Sequence, residues 1–208
     1  MSDKSFRIDS EEALVAAIGE PIEYVRGKLM SELNPAMREF IAVAPLAFVA
    51  TVDEDGLPDI SPKGDPAGFV RVEPDGSLLI PERPGNRLAF GFRSIMRNGR
   101  VGLIFIAPHQ TETLRIKGRA SLHADPEILE SMTVNGKPAL MYTRVEVEET
   151  FFHCGKALIR SHLWQPDKWP EKQRCIAARG LMTKELQSDE QAKETEMRLG
   201  IAYKMQLY

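Results

Sequence analysis

The chain has 208 residues, 43% of them hydrophobic and 27% charged, with a formal net charge of −3. That suits one domain with enough apolar material for a single core, and it argues against a nucleic-acid partner, which shows as a basic excess or stripe. No apolar run approaches the roughly 20 residues that span a bilayer.

Residues 1–45 read as a helical segment packing on whatever follows. Asp9 or Ser10 can cap a helix over 11–18, with Leu14, Val15 and Ile18 on one face. Pro21 starts a second short helix. Asn34-Pro35 starts a third, with proline at the first helical position and Met37, Phe40 and Ile41 as its apolar stripe.

Strand signals dominate next. Residues 47–52 are apolar and rich in β-branched types, Asp53-Glu54-Asp55-Gly56 is a turn, and 57–61 make the return strand. Pro58 in that return strand argues for an edge. A second hairpin follows by the same logic: 69–72, the turn Glu73-Pro74-Asp75-Gly76, then 77–80. Leu88, Phe92, Ile95 and Met96 recur at helical spacing over 87–98, and Asn98-Gly99 ends that helix.

Residues 101–106 form a fully apolar strand. Residues 111–120 alternate, with Thr113, Arg115, Lys117 and Arg119 on one face. A short helix covers 125–132, and 144–152 alternate again. From Trp164 the chain turns polar and then helical to Tyr208. Six or seven strands joined by tight turns imply antiparallel pairing, and strands of this length hide their edges best in a small barrel.

Two loop segments carry the chemistry. Asp59-Ile60-Ser61-Pro62-Lys63-Gly64-Asp65 and Pro81-Glu82-Arg83-Pro84-Gly85-Asn86-Arg87 both sit where a strand runs out. A phosphate monoester carries close to two negative charges and needs several donors and cations. Lys63 offers a point charge, Arg83 and Arg87 planar forks, and Ser61 a hydroxyl. Gly64 and Gly85 permit close approach of backbone N–H groups. Asn86 can cap the helix that follows, adding its positive dipole end. Either segment alone reads as a solvated loop; both together point to one shared anion. Thr113 stands at the start of its strand, within reach of such a ligand, although a row of charges there is also an ordinary outer face.

A third segment runs from Phe151 to Trp164. Arg160 and Trp164, four apart, suit an anionic aromatic cofactor; Trp164 can equally be a packing residue. His153, Cys154 and His162 match no zinc spacing, so no metal is expected. Cys154 and His153 are adjacent on a strand and point to opposite faces, which disfavours a nucleophile pair. There is no G-x-G-x-x-G, no P-loop and no G-x-S-x-G elbow. Cys154 and Cys175 make no disulfide framework and residues 1–10 hold no signal-peptide core, so a cytoplasmic compartment is the simplest expectation.

These segments, in this order, resemble the pyridoxamine 5′-phosphate oxidase-like, FMN-binding split-barrel superfamily. The resemblance rests on 48–52, 58–64, 83–87, 100–105 and 114–120, and on the late run Cys154 to Ser161. It is similar to a bacterial subgroup of probable FMN-dependent enzymes. It implies a six-stranded antiparallel split β-barrel over 46–165 and a homodimer with FMN at the subunit interface, while residues 166–208 depart from it as an appended helical extension. The implied FMN contacts are Ser61, Pro62, Lys63, Gly64, Arg83, Asn86, Arg87 and Thr113, with Arg160 and Trp164 from the partner subunit. No catalytic acid or base is identified. The arginine- and histidine-bearing C-terminal motif of true pyridoxamine phosphate oxidases has no counterpart here. The expected function is therefore FMN-dependent oxidoreduction of an unidentified small molecule. A non-catalytic FMN carrier or sensor is the alternative. Haem handling is a third, with His109, His123, His153 and His162 as candidate ligands.

Overall fold

Two turns of the same design set the strand order. Asp53 N–H bonds Leu57 O, and Glu73 N–H bonds Ser77 O, each closing a hairpin. Gly56 and Gly76 take φ of 82° and 85°, the left-handed conformation that glycine adopts without a Cβ clash. In this computed structural model, residues 6–23, 27–171, 188–205 and 208 are described. In chain order they form helices α1 (Glu11–Ile18) and α2 (Pro35–Val43), then strands β1 (Leu46–Val52), β2 (Pro58–Gly64), β3 (Arg71–Val72) and β4 (Leu78–Glu82). Helix α3 (Phe90–Asn98), strands β5 (Arg100–Ile106) and β6 (Thr113–His123), helix α4 (Pro126–Ser131) and strand β7 (Met141–His153) follow. Helices α5 (Lys156–Arg160) and α6 (Asp189–Met205) complete the order.

The strands make one curled antiparallel sheet, ordered β2-β1-β5-β6-β7-β4-β3, that forms a half-barrel. There are seven strands, not the six that the resemblance implies. The extra one is β3, which pairs only Arg71 and Val72 with Leu79 and Leu78 and serves as a short outer edge. The sheet does not close through its backbone, because β2 and β3 stand at opposite edges. Side chains cross the remaining gap. Lys63 on β2 meets Glu82 on β4 at 2.6 Å, and Arg83 meets Asp65 at 2.7 Å.

The core lies inside the curl. Met37, Phe40 and Ile41 of α2 are buried against Val49, Ile80, Leu103, Phe105 and Ile116 from the surrounding strands. Asn34 caps α2 by accepting from Met37 N–H at 2.9 Å, as its sequence indicates. A smaller apolar cluster of Leu79, Met132, Ala139 and Tyr142 lies under α4. It covers the other face of β4, which is why every residue of that strand is buried. The β6–β7 ladder carries a bulge at Lys117/Gly118. A Cβ on Gly118 would lie 2.0 Å from Glu146 O, so the close pass that bends these strands needs glycine.

Helix α3 starts at Phe90 rather than at 87. Arg87 and Ala89 have φ of 62° and 58°, which no right-handed helix accommodates. The expected second helix after Pro21 falls in part on residues 24–26, outside the described residues. Of the expected tail helix, α6 covers 189–205, while 172–187 lie outside the described residues. Among the described residues, no helix is long and apolar enough to cross a membrane.

Candidate functional site

A cavity of about 770 Å³ opens between the β2 edge, the segment leaving β4 and the start of α3. That is within the range of small-ligand sites. It is lined by Ser61, Pro62, Lys63, Gly64, Arg83, Asn86 and Arg87, so the two loop segments do converge on one space. The convergence follows from sheet order. β4 pairs with β7 on the far side of the curl from β2, yet the curl brings their ends face to face.

The charged residues of the wall divide into two kinds. Glu82 is 4% exposed and accepts from Lys63 Nζ at 2.6 Å and from Thr143 Oγ1 at 2.7 Å. Burial pushes the Glu82 carboxyl above its ordinary value, against the pull of the Lys63 charge and hydrogen bond and the Thr143 hydroxyl. Lys63 also sits 4.5 Å above the Phe92 ring. Arg83 is committed too: it donates to Asp65 Oδ2 at 2.7 Å and to Met132 O at 2.7 Å. By contrast, among the described residues neither Ser61 Oγ nor the Arg87 guanidinium has a hydrogen-bond or ion-pair partner. Arg87 is presented by a loop whose positive φ costs energy for a residue with a Cβ.

Asn86 does not cap the helix as expected. Its Oδ1 accepts from Leu88 N–H at 3.0 Å and closes a turn within the loop, because α3 starts only at Phe90. Thr113 is buried at the start of β6 opposite His153, and its hydroxyl has no partner. It does not line this cavity, and neither do Arg160 or Trp164. Arg160 ends α5, and Trp164 Nε1 donates to Gln110 O at 2.8 Å.

Four cavity residues escape sequence reasoning: Thr51, Gly91, Glu82 and Tyr208. Thr51 is 2% exposed, and its buried hydroxyl has no hydrogen-bond partner among the described residues. An orphaned buried hydroxyl is costly unless something bonds to it. Gly91 lies over it: a Cβ there would come within 3.4 Å of Thr51 Oγ1 and 3.3 Å of Asp59 Oδ2. A side chain at 91 would fit only if the Asp59 carboxylate gave way by a few tenths of an ångström. Glu82 looks like any loop carboxylate until the curl buries it. Tyr208 lies 121 residues beyond Arg87 and still lines the same space. None of the four histidines lines the cavity, and among the described residues no three His, Cys, Asp or Glu side chains group as a metal site requires.

The profile of the pyridoxamine 5′-phosphate oxidase family matches residues 33–154. The chain belongs to that family. Every residue lining the cavity except Tyr208 falls inside the family segment. Among curated proteins, none matches the chain. Among solved structures, HupZ of Group A Streptococcus is 22% identical with a TM-score of 0.46, over 58% of this chain and 93% of that one. A protein of Clostridium acetobutylicum related to general stress protein 26, of the pyridoxinephosphate oxidase family, is 16% identical with a TM-score of 0.42. That match covers 56% of this chain and 84% of the other. An F420 reductase is 20% identical with a TM-score of 0.41, over 58% and 98%. The family segment thus accounts for the half-barrel and the cavity wall, while α1 and α6 lie outside it.

Proposed function

We propose that this chain is an FMN-binding flavoprotein, an FMN-dependent oxidoreductase acting on a small molecule, with the flavin held in this cavity at a contact between two copies. The observation that carries the reading is the cavity shared by Ser61 and Arg87, whose side chains have no partner among the described residues. Arg87 and Ser61 would hold the phosphate, with Lys63 and Gly64 beside them on the β2 edge. The orphaned Thr51 hydroxyl fits a bound polar group at the floor of the site. When bound, FMN supplies the redox chemistry, and the protein supplies position and electrostatics.

The protein's own contribution is order. Glu82 fixes Lys63 at the wall, so its charge stays at one place beside the ligand. Pro81, Pro84, Phe92 and Ile95 give the lining an apolar character that excludes water. The rim is a further support: Ile60, Leu88, Phe90 and Leu140 line the cavity and are 65%, 52%, 56% and 62% exposed. Clustered exposed apolar side chains mark a surface that is covered in use. A second copy would cover it. Arg160 and Trp164, which do not reach the chain's own cavity, would then serve the partner's.

FMN titration followed by flavin fluorescence tests this, together with sedimentation of the loaded protein. Saturable binding by a dimer is expected. Absence of binding overturns the cofactor, and tight binding by a monomer overturns the shared site. Flavin that binds but resists reduction by nicotinamide donors would make the chain a carrier.

A further inference from the structure

Tyr208 is held at the cavity by three anchors on three separate segments. Its phenol donates to Asp65 Oδ1 at 2.7 Å, just beyond β2. Its ring lies 5.7 Å from the Arg83 guanidinium, just beyond β4. Its main-chain oxygen accepts from Lys137 Nζ at 2.6 Å, in the connection from α4 to β7. Asp65 is the pivot: its carboxylate takes Arg83 on one oxygen and Tyr208 on the other, and its side chain is 1% exposed. A buried carboxylate satisfied at both oxygens is a defined receptor.

The position matters more than the contacts. Lys63-Gly64 leads directly into Asp65, and Arg83 leads into the loop that presents Arg87. The Tyr208 ring therefore stands beside both segments that would bind a phosphate, and it lines the same space. A phosphate monoester held by Ser61 and Arg87 would not need the groups that anchor Tyr208, since Asp65, Arg83 and Lys137 are already engaged with it. A ligand continuing past that phosphate, as a dinucleotide does, has to displace the ring.

We propose that Tyr208 closes the phosphate end of the cavity and restricts it to ligands that end in a phosphate monoester. The specificity part rests on the flavin reading above; the docking of Tyr208 does not. Arg83, which the sequence marks as a phosphate ligand, becomes the residue that positions this stop.

The test uses the full chain with FMN and FAD as probes. Tyr208→Ala is expected to raise FAD affinity at least about tenfold while changing FMN affinity less than about threefold, since the ring's contribution is mainly exclusion. Tyr208→Phe keeps the ring and is expected to keep most of the discrimination. An unchanged FAD-to-FMN ratio in Tyr208→Ala overturns the proposal. Docking is read separately by nitration with tetranitromethane and peptide mapping. Tyr208, hydrogen-bonded to a carboxylate, is expected to react several-fold more slowly than Tyr203, which is 66% exposed. Lys137→Ala is expected to narrow that difference, and it avoids disturbing the buried Asp65. Equal nitration of Tyr208 and Tyr203 in the unaltered protein overturns the docking. Protected Tyr208 in a chain that binds neither flavin supports the docking alone and overturns the cofactor reading together with the specificity that rests on it.

Discussion

The two sides of the cavity wall use charge for opposite ends. Along the seam between β2 and β4, Lys63 answers Glu82 and Arg83 answers Asp65, and three of these four side chains are under 13% exposed. In the loop before α3, Arg87 answers no charge among the described residues and is held at a φ of 62°. The seam keeps a half-barrel in shape where no backbone ladder can, because β2 and β4 are not hydrogen-bonded neighbours. The loop spends local strain to hold a cation ready. A charge with a buried partner is structural; a charge without one is available to a ligand.

Breaking the seam gives the largest expected effect. Lys63→Met leaves Glu82 buried without its cation, and about 3–5 kcal/mol of stability is expected to go, read by denaturant unfolding. Restoring much of it with Lys63→Met/Glu82→Gln would show that the unpaired charge, not lost packing, carries the cost. The seam also has a pH signature. Burial, the largest influence, raises the folded Glu82 carboxyl above its ordinary 4.5. Its stabilising contribution is then full below that ordinary value and is lost as pH rises through the folded one. The stability of the unaltered chain relative to Glu82→Gln is therefore expected to fall with rising pH over that window. A rise would mean that the Lys63 charge outweighs burial.

Arg87→Ala sharpens the comparison from the other side. It is expected to weaken FMN binding by about 1.5–3 kcal/mol, the range for hydrogen bonds to charged groups, while the ligand-free protein melts as before. Loss of stability instead would make Arg87 a structural residue like Lys63. Thr51→Val removes the orphaned hydroxyl with little change of shape. The ligand-free protein is expected to gain up to about 1 kcal/mol, with weaker flavin binding as the counterpart. Smallest of all is the surface pair Arg97–Glu54, with side chains 54% and 66% exposed. Arg97→Ala is expected to cost about 0–1 kcal/mol, which calibrates what an exposed pair contributes.

Much of this was legible in the chain itself. The two turns, the α2 cap at Asn34 and the alternation of β6 and β7 are local signals, and local signals survive folding. The meeting of Ser61 with Arg87 was also readable, since two donor-rich strand ends on one small sheet have few places to go. The role of Arg83 was not, because nothing near it in sequence announces Asp65 or Tyr208. Asn86 misled for a related reason: a residue that can cap a helix can equally close a turn, and the backbone at Ala89 decides which.

Residue type and spacing determined which groups could bind an anion and which elements would carry them, because propensity, turn chemistry and alternation act over a few residues. Only the curl of the sheet decided which of those cations are used up and which stay open. Pairing across a gap depends on burial and on partners 18 or more residues away, and neither exists until the chain has folded.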